Sequence, residues 1–465
     1  MADTPWLGDA CSLVDAFRSG ERSPVEELDA TLAAIEGSEL NAFSFLETDA
    51  ARDAAARADV NAPFGGVPVG VKELDRVAGW PHTEASTVLK DEVSDCDSVL
   101  VSRLRHHGAV PFGLTTASEF GGVNFTRTHL NGVTWNPWGE RDRSPGGSSG
   151  GSATAVAGGL CTLATGGDGG GSIRIPAAFC GLPGLKATYG RIPKSPFTEI
   201  TNLTAVLGPL TRSVRDIARY FDVCNGFDPR DPFSLPQVTN WEQRLGTFAH
   251  VLRGKKVTIS PTLGAAVVLP GIEDAVREHG EQLAKDAGLE VVDVAVALPE
   301  LSFEWALSGL VGVLSSLGDR YPDCAPELTM EIALGLQLAT QMYSLETPVR
   351  IEQQRVNHNE AMAALFDQVD FVIAATNPDV AFTTEGTIPM EVGGVSTGPG
   401  NNGALTIPSN IYGNPAVTIP IGVIDGLPIG MQVLGGHHTE QLLLDLLLTA
   451  ERERPWPLVA PDTPC

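Results

Sequence analysis

Basic residues are scarce in this chain. Its 465 residues include 31 lysines and arginines against 57 aspartates and glutamates, which gives a formal net charge of −26. Such a surface repels a polyanionic partner unless basic groups cluster locally, and the sequence contains no such cluster. We therefore expect neither nucleic acid nor an anionic membrane to be a partner of this protein.

Cysteine is also sparse. The seven cysteines occur singly, without a CxxC pair of the kind that binds zinc or forms a redox couple. The stretch MADTPWLGDACSLVDAF carries acids where a secretory signal has a basic region and then an apolar core. We expect a cytoplasmic protein that works in a reducing compartment.

Long apolar runs are missing as well. The longest, residues 305–317, is interrupted by serines and glycines. It is shorter than the ~20 apolar residues that a membrane-spanning helix needs. We interpret it as a buried or pocket-lining helix.

The remaining composition, with 43% hydrophobic residues, is that of an ordinary globular protein. Neither an internal repeat nor a long Pro/Ser-rich linker divides the chain, so we expect one domain over residues 1–465. Helical and strand patterns alternate, which favours an α/β fold with a central mixed β-sheet covered by helices on both faces. Helices are predicted at 9–35 with a break at 20–24, and at 50–58, 99–107, 153–159, 273–287, 301–366 and 440–452; strands at 67–72, 109–114, 160–165, 256–260, 290–296, 371–375, 416–421 and 429–433.

Two glycine-rich loops, residues 146–152 and 166–172, stand out. Neither contains the GK[ST] of a phosphate-binding loop, and neither is a GxGxxG after a strand, so nucleotide binding is disfavoured. Glycine also permits backbone N–H groups to converge on the oxyanion of a tetrahedral intermediate. The second loop predicts such a cradle, formed by the N–H groups of Gly169, Gly170, Gly171 and Ser172, with Ser172 as the nucleophile. The following IRIPAAFCG predicts a helix whose positive terminus faces the developing anion.

The first loop also matches GxSxG, the nucleophile elbow of α/β-hydrolases. In that alternative Ser148 is the nucleophile and a histidine is its base. An elbow follows a buried strand, whereas residues 139–145 are charged and end in proline. The candidate bases would be His250, His279, His358, His437 and His438.

A serine hydroxyl needs a neighbouring base to act as a nucleophile. Lys72 ends an alternating apolar strand whose Lys72 face carries small residues. Burial at that position disfavours the charged form of the amine and lowers its pKa. Lys72 is therefore the candidate base.

The chain contains the stretches PVGVKELDRVAG, SPGGSSGGSATAVAGGL and GGDGGGSIRIPAAFCGLPGLKATYGRI, and later IYGNPAVTIPIG with GLPIGMQVLGG. In this order and spacing, over about residues 63–189 and again near the C-terminus, they resemble the amidase signature family. The resemblance implies a single amidase-type α/β/α domain with a Ser-cisSer-Lys triad. Ser172 attacks, Ser148 relays the proton from a cis peptide bond after Gly147, and Lys72 is the final base.

The resemblance implies further roles. Glu119, Phe120, Gly121 and Gly122 would form one wall of the acyl pocket, and Asp168 would order the loop without transferring a proton. Gly169 departs from the family, which usually has threonine there, so a hydroxyl beside the oxyanion cradle is missing.

The expected activity is that of a stand-alone serine hydrolase for a carboxylic amide, with aryl amides, carbamates (urethanes) and esters open to the same chemistry. Neither a metal nor a cofactor is required. One alternative is the glutaminase subunit of a tRNA-dependent amidotransferase, and another is a catalytically inactive relative kept as a binding protein. The helices within residues 1–60 form the N-terminal part of the domain, the helical region of about 301–366 lies near the pocket, and the family implies a homodimer.

Overall fold

Capping residues set the ends of the first helices. The computed structural model describes residues 4–196, 203–461 and 463. Ser23 accepts the N–H of Glu26 while the Glu26 carboxylate accepts the N–H of Ser23, a reciprocal cap that starts the second helix. Gly20, with φ of 75°, ends the first. The helices are α1 Ala10–Ser19, α2 Pro24–Gly37, α3 Thr48–Ala56, α4 Val99–His106, α5 Gly150–Ala157, α6 Arg174–Phe179, α7 Val214–Cys224, α8 Ala249–Leu252, α9 Pro270–Ala287, α10 Ser302–Leu317, α11 Met330–Met342, α12 Glu346–Phe366, α13 Ile407–Tyr412 and α14 Glu440–Glu453.

The strands form two mixed sheets and two short hairpins. One sheet has the order β1-β3-β2-β6-β8 and the other β10-β9-β11-β15-β14-β7. Leu185 and Gly208 bring the edge strands β7 and β8 side by side. The strands are β1 Phe43–Leu46, β2 Pro68–Lys72, β3 Val110–Thr115, β4 Arg127–Thr128, β5 Gly132–Val133, β6 Leu163–Asp168, β7 Gly184–Lys186, β8 Val206–Thr211, β9 Lys256–Ile259, β10 Glu290–Val291, β11 Phe371–Ala375, β12 Glu391–Val392, β13 Val395–Ser396, β14 Ala416–Ile424 and β15 Leu427–Gly435.

Helices cover both faces of these sheets. Consecutive residues of β6 point into different apolar clusters, Leu163 into the one shared with α1, α7, α9 and α14, and Ala164 into the one shared with α2, α3, α5 and α6. This alternation is the period-2 pattern of a strand buried on both sides. The predicted α/β class is confirmed, with the refinement that ladder hydrogen bonds divide the strands between two adjoining mixed sheets.

Most of the predicted elements are present, but the strand expected at 290–296 shortens to two residues and the stretch expected to be helical at 301–366 divides into α10, α11 and α12. Several elements were not predicted, among them β1, β7, β8, α7 and α13. Gly208 and Pro209 interrupt the pattern of β8, and proline is tolerated there because β8 is an edge strand of its sheet. None of the described helices is long and apolar enough to cross a bilayer.

The topology brings the candidate residues to one edge. Strands β2 and β6 are parallel neighbours that pair Val69 with Leu163 and Gly70 with Ala164. Their carboxyl ends, Lys72 and Asp168, therefore lie on the same side of the sheet. Helix α5, which follows the first glycine loop, packs directly on both strands.

The buried side chain of Arg212 holds the turn between α5 and β6 in place. Its guanidinium is fully buried and donates to the carbonyls of Val156 at the end of α5 and Cys161 before β6, at 3.0 and 2.9 Å. It also donates to the carbonyls of Trp6 and Gly8, each at 2.7 Å. One side chain thus ties the N-terminal segment to the turn between α5 and β6.

We predict that Arg212→Met lowers the free energy of unfolding by about 3 kcal/mol, because buried carbonyls lose a charged donor. The midpoint of thermal unfolding measures the loss. Arg57→Met is the matched control, since the Arg57 side chain is 73% exposed and pairs only with exposed Asp53. Equal midpoints for the two variants would contradict the assignment.

Candidate active site

Lys72 is the centre of the candidate site. All five residues of β2 are buried, and the Lys72 side chain extends from its end into the first glycine loop. Its Nζ donates to Ser148 Oγ at 2.8 Å and to Ser149 Oγ at 2.9 Å. The structure therefore brings two of the three proposed triad residues into direct contact.

The surroundings of Lys72 favour a neutral amine. Burial lowers the pKa of Lys72 to about 8, even though the carboxylates of Asp75 and Asp168 oppose the shift. The backbone N–H of Lys72 donates to Thr165 Oγ1 at 2.8 Å, and Thr165 in turn donates to Asp75 Oδ2 at 2.7 Å. These bonds hold the end of β2 in place beside β6.

Ser149 was missed by sequence reasoning. The Gly147–Ser148 peptide bond is cis, as the family resemblance implied, and the Ser149 hydroxyl lies next to that of Ser148 on the same amine. Ser149 Oγ also bonds to the backbone of Gly167 in the second loop, at 3.3 Å. The signal in the sequence was the pair of consecutive serines, of which only the first was assigned a role.

The nucleophile-elbow alternative for Ser148 finds no support. No described strand ends at Gly146, and Ser148 Oγ bonds to a lysine instead of a histidine. Four of the candidate histidines bond elsewhere: His250 to the carbonyl of Thr247, His358 to the carbonyl of Pro408, His437 to the carbonyl of Tyr412, and His438 to Arg191.

Ser172 lies half-buried after the second glycine loop. Its hydroxyl has no hydrogen bond to any other described residue, so the structure does not join it to Ser148. The first loop nevertheless packs against the helix that follows Ser172, because a Cβ on Gly146 would lie 3.0 Å from Pro176 Cα and 3.2 Å from Ile175 Cγ2. The roles of Ser172, Ser148 and Lys72 stay predictions.

The backbone of the second loop is partly open. Within residues 4–196 and 203–461, the N–H groups of Gly169, Gly170 and Ser172 have no hydrogen-bond acceptor. Gly171 departs from the predicted cradle, because its N–H donates to Asp168 Oδ1 at 2.8 Å. In the part of the chain that the structure describes, three of the four predicted donors are thus unoccupied.

The start of helix α6 is another correction. The helix forms as predicted, but it has only six residues, and Asp168 Oδ2 accepts the N–H groups of Ile173 and Arg174, each at 3.3 Å. The carboxylate thus occupies the positive helix terminus that was expected to face the substrate.

Asp168 orders the loop through a buried network. Arg174 donates to both of its oxygens, at 3.0 and 3.1 Å, and Asn410 donates to Oδ1 at 2.9 Å. Burial alone would raise the pKa of Asp168, but the charge and hydrogen bonds of Arg174 outweigh burial and lower the pKa to about 2. The guanidinium of Arg174 also donates to Gln432 Oε1 at 2.9 Å. Arg174, Asn410 and Gln432 had no assigned role in the sequence.

The predicted pocket wall at residues 119–122 divides into different roles. Glu119 does not line a pocket: it is buried, and its carboxylate accepts from Ser86 Oγ at 2.6 Å and from the N–H and hydroxyl of Thr329 at 2.8 and 2.6 Å. Only Gly121 lies at the site, since a Cβ there would be 3.3 Å from Ser148 Oγ. Phe120 and Gly122 pack against apolar side chains of the helical region 302–366, which the segment thus anchors.

Comparisons with known proteins agree with this geometry. The sequence matches the Amidase family over residues 26–444. A glutamyl-tRNA(Gln) amidotransferase subunit of Roseiflexus sp. (strain RS-1) is 33% identical over 97% of each chain. A bacterial aryl acylamidase structure superposes with a TM-score of 0.89 at 28% identity over 97% of each chain. The structure of 6-aminohexanoate cyclic dimer hydrolase does so with 0.86 at 28% identity, over 98% of this chain and 99% of that one. This chain therefore belongs to the amidase signature family and is an amide hydrolase of that class.

We predict that Asp168→Asn lowers the free energy of unfolding by about 3–5 kcal/mol, because it leaves the Arg174 guanidinium buried without its counter-charge. The midpoint of thermal unfolding measures the loss. Asp29→Asn is the matched control: Asp29 pairs with Arg52 and both side chains are 49% exposed, so less than about 1 kcal/mol is expected. A small effect at Asp168 would show that the network does not stabilise the loop.

Proposed function

We propose that this protein is a stand-alone serine hydrolase that cleaves a carboxylic amide through an acyl-enzyme on Ser172. One observation carries the proposal: a buried lysine whose amine bonds to Ser148 and whose pKa lies at about 8. Among the described residues, Lys72 Nζ forms its hydrogen bonds with two hydroxyls and not with a carboxylate. The pattern is that of an activated nucleophile.

The reaction follows from these contacts. Neutral Lys72 takes the proton of Ser148 as Ser148 takes that of Ser172, and Ser172 Oγ forms a bond to the amide carbon. The C–N bond then breaks, and the departing amine receives the proton that Lys72 holds. Water attacks the acyl-enzyme by the same relay and releases the carboxylic acid. The bond between Ser172 and Ser148 must form with substrate in place, as catalytic hydrogen bonds often do.

The tetrahedral intermediate carries a negative oxygen. The donors for that oxygen are the N–H groups of Gly169, Gly170 and Ser172. None of these groups has a hydrogen-bond acceptor among the described residues. Preorganised donors of this kind are commonly worth 10²–10³ in kcat each.

The partly buried indole of Trp305 supports a preference for substrates with an apolar or aromatic group. The indole lies against Gly170, so a flat apolar surface borders the cradle. The names of two structural neighbours, an aryl acylamidase and a cyclic amide hydrolase, point the same way. Carbamates and aryl esters pass through the same acyl-enzyme and belong to the substrate class.

The test is a panel of 4-nitroacetanilide, benzamide, an N-aryl carbamate, 4-nitrophenyl acetate and glutamine. We predict turnover of the aryl substrates and none by Ser172→Ala, in which a fluorophosphonate also fails to label the chain. Ser315→Ala is the matched control, an exposed serine on α10 that should leave turnover unchanged. An unlabelled parent chain would instead indicate a catalytically inactive relative.

A second candidate is the glutaminase subunit of a tRNA-dependent amidotransferase. Relatives at 30–33% identity are named as a subunit of glutamyl-tRNA(Gln) amidotransferase, and the match covers most of the chain. Ammonia released from glutamine at a rate above that for every aryl substrate would favour this function. The formal charge of −26 disfavours a direct tRNA contact, so this function would need a partner protein that binds the tRNA.

The pH dependence of the rate should identify the base. Because Lys72 must be neutral and burial places its pKa at about 8, kcat/KM should rise with pH, about tenfold per unit below 8, and level off above it. Initial rates with uncharged 4-nitroacetanilide between pH 6 and 9.5 measure the profile. A plateau already reached at pH 7, or an unchanged profile in Lys72→Met, would disprove the assignment.

A further inference from the structure

The second glycine loop is held in place from outside. Gly169 and Gly170 have no side chains, so their backbone torsions are less restricted than those of other residues. The carbonyl of Gly169 accepts the indole N–H of Trp305 at 2.8 Å, and the carbonyl of Gly170 accepts the hydroxyl of Thr406 at 2.6 Å. The two carbonyls are thus bound by side chains more than 130 positions away in sequence.

The indole also makes van der Waals contact with the loop. A Cβ placed on Gly170 would lie 2.5 Å from Trp305 Cζ2 and 2.9 Å from Cη2, so the ring rests directly on the Gly170 Cα. Leu301, Ile407 and Ile411 pack around the indole on its far side. Trp305 is therefore fixed both by its own neighbours and by the loop.

The direction of the Gly170 N–H follows from the planar peptide. The Gly169 carbonyl and the Gly170 N–H belong to the same trans peptide unit and point in opposite directions. A carbonyl held by Trp305 therefore directs the Gly170 N–H away from α10. That N–H is one of the three donors in the loop with no acceptor among the described residues.

We infer that Trp305 is a positioning residue for the oxyanion cradle: its indole N–H orients the Gly169–Gly170 peptide so that the Gly170 N–H meets the developing oxyanion. The inference rests on the proposed function of the site. Trp305 itself does not touch the reacting atoms. It acts by removing conformations of a glycine loop in which the donor points elsewhere.

The test compares Trp305→Phe, which keeps an aromatic ring and removes the donor, with the parent chain. In hydrolysis of 4-nitroacetanilide we expect kcat to fall about tenfold or more, toward the 10²–10³ that loss of one oxyanion donor causes, with KM nearly unchanged. The pH midpoint of the rate and the midpoint of thermal unfolding should stay those of the parent. Phe303→Leu, a change to an exposed aromatic residue on the same helix, is the matched control.

A second variant reaches the same contact from the loop. Gly170 has an ordinary backbone φ, so in Gly170→Ala the obstacle to the methyl group is the indole. We expect Gly170→Ala to lower kcat, and the double variant with Trp305→Phe to be less impaired than the product of the two single effects. Purely multiplicative effects would overturn the inference, and this cycle decides it if the Trp305 variant alone is poorly folded.

The inference and the proposed function fail in different ways. An absence of fluorophosphonate labelling in the parent chain would refute the proposed function. If the parent is labelled and Trp305→Phe is labelled and turns over at the same rate, the proposed function stands and the inference is wrong. A loss of kcat in Trp305→Phe that is matched by a rise in KM would also overturn it, because it would indicate uniform loss of substrate binding.

Discussion

The structure depends on keeping one amine out of water. Lys72 occupies the end of a strand in which every residue is buried, and its amine bonds to hydroxyl groups. A charged ammonium is costly in such a place, so the free energy of desolvation favours the neutral form. In the proposed function this amine is the base, and the first glycine loop holds the hydroxyls of Ser148 and Ser149 beside it.

A second requirement concerns the buried carboxylate of Asp168, which must stay charged, whereas burial favours the neutral form of the Lys72 amine. Asp168 lies as deep as Lys72 but keeps its negative charge, because Arg174 and Asn410 saturate its oxygens. By accepting the N–H groups of Gly171 and the first residues of α6, the carboxylate decides which amides of the loop are occupied and which remain open. In the proposed function Asp168 takes no part in proton transfer, and the loop N–H groups that it does not accept are the donors to the oxyanion.

The local parts of this design could be predicted from sequence, and the long-range parts could not. Strand β2 and the glycine loops follow from side-chain alternation and composition, and those features also located Lys72, Ser148 and Ser172. Asn410 donates to Asp168, Gln432 accepts from Arg174, and Glu119 bonds to Thr329, contacts that no periodicity encodes. The departure at Glu119 has this origin, because its carboxylate is held by Thr329, 210 positions further along the chain.

Two hydrogen bonds join the helical region, residues 302–366, to segments beside the candidate site. Helix α10 supplies a side chain that bonds to the Gly169 carbonyl, and α11 begins beside the threonine that holds Glu119. Both contacts fix loops that border the amine and hydroxyls of the site. A change in α10 or α11 that reshapes the pocket must therefore preserve these hydrogen bonds, or the donors of a glycine backbone lose the external contacts that give them one direction.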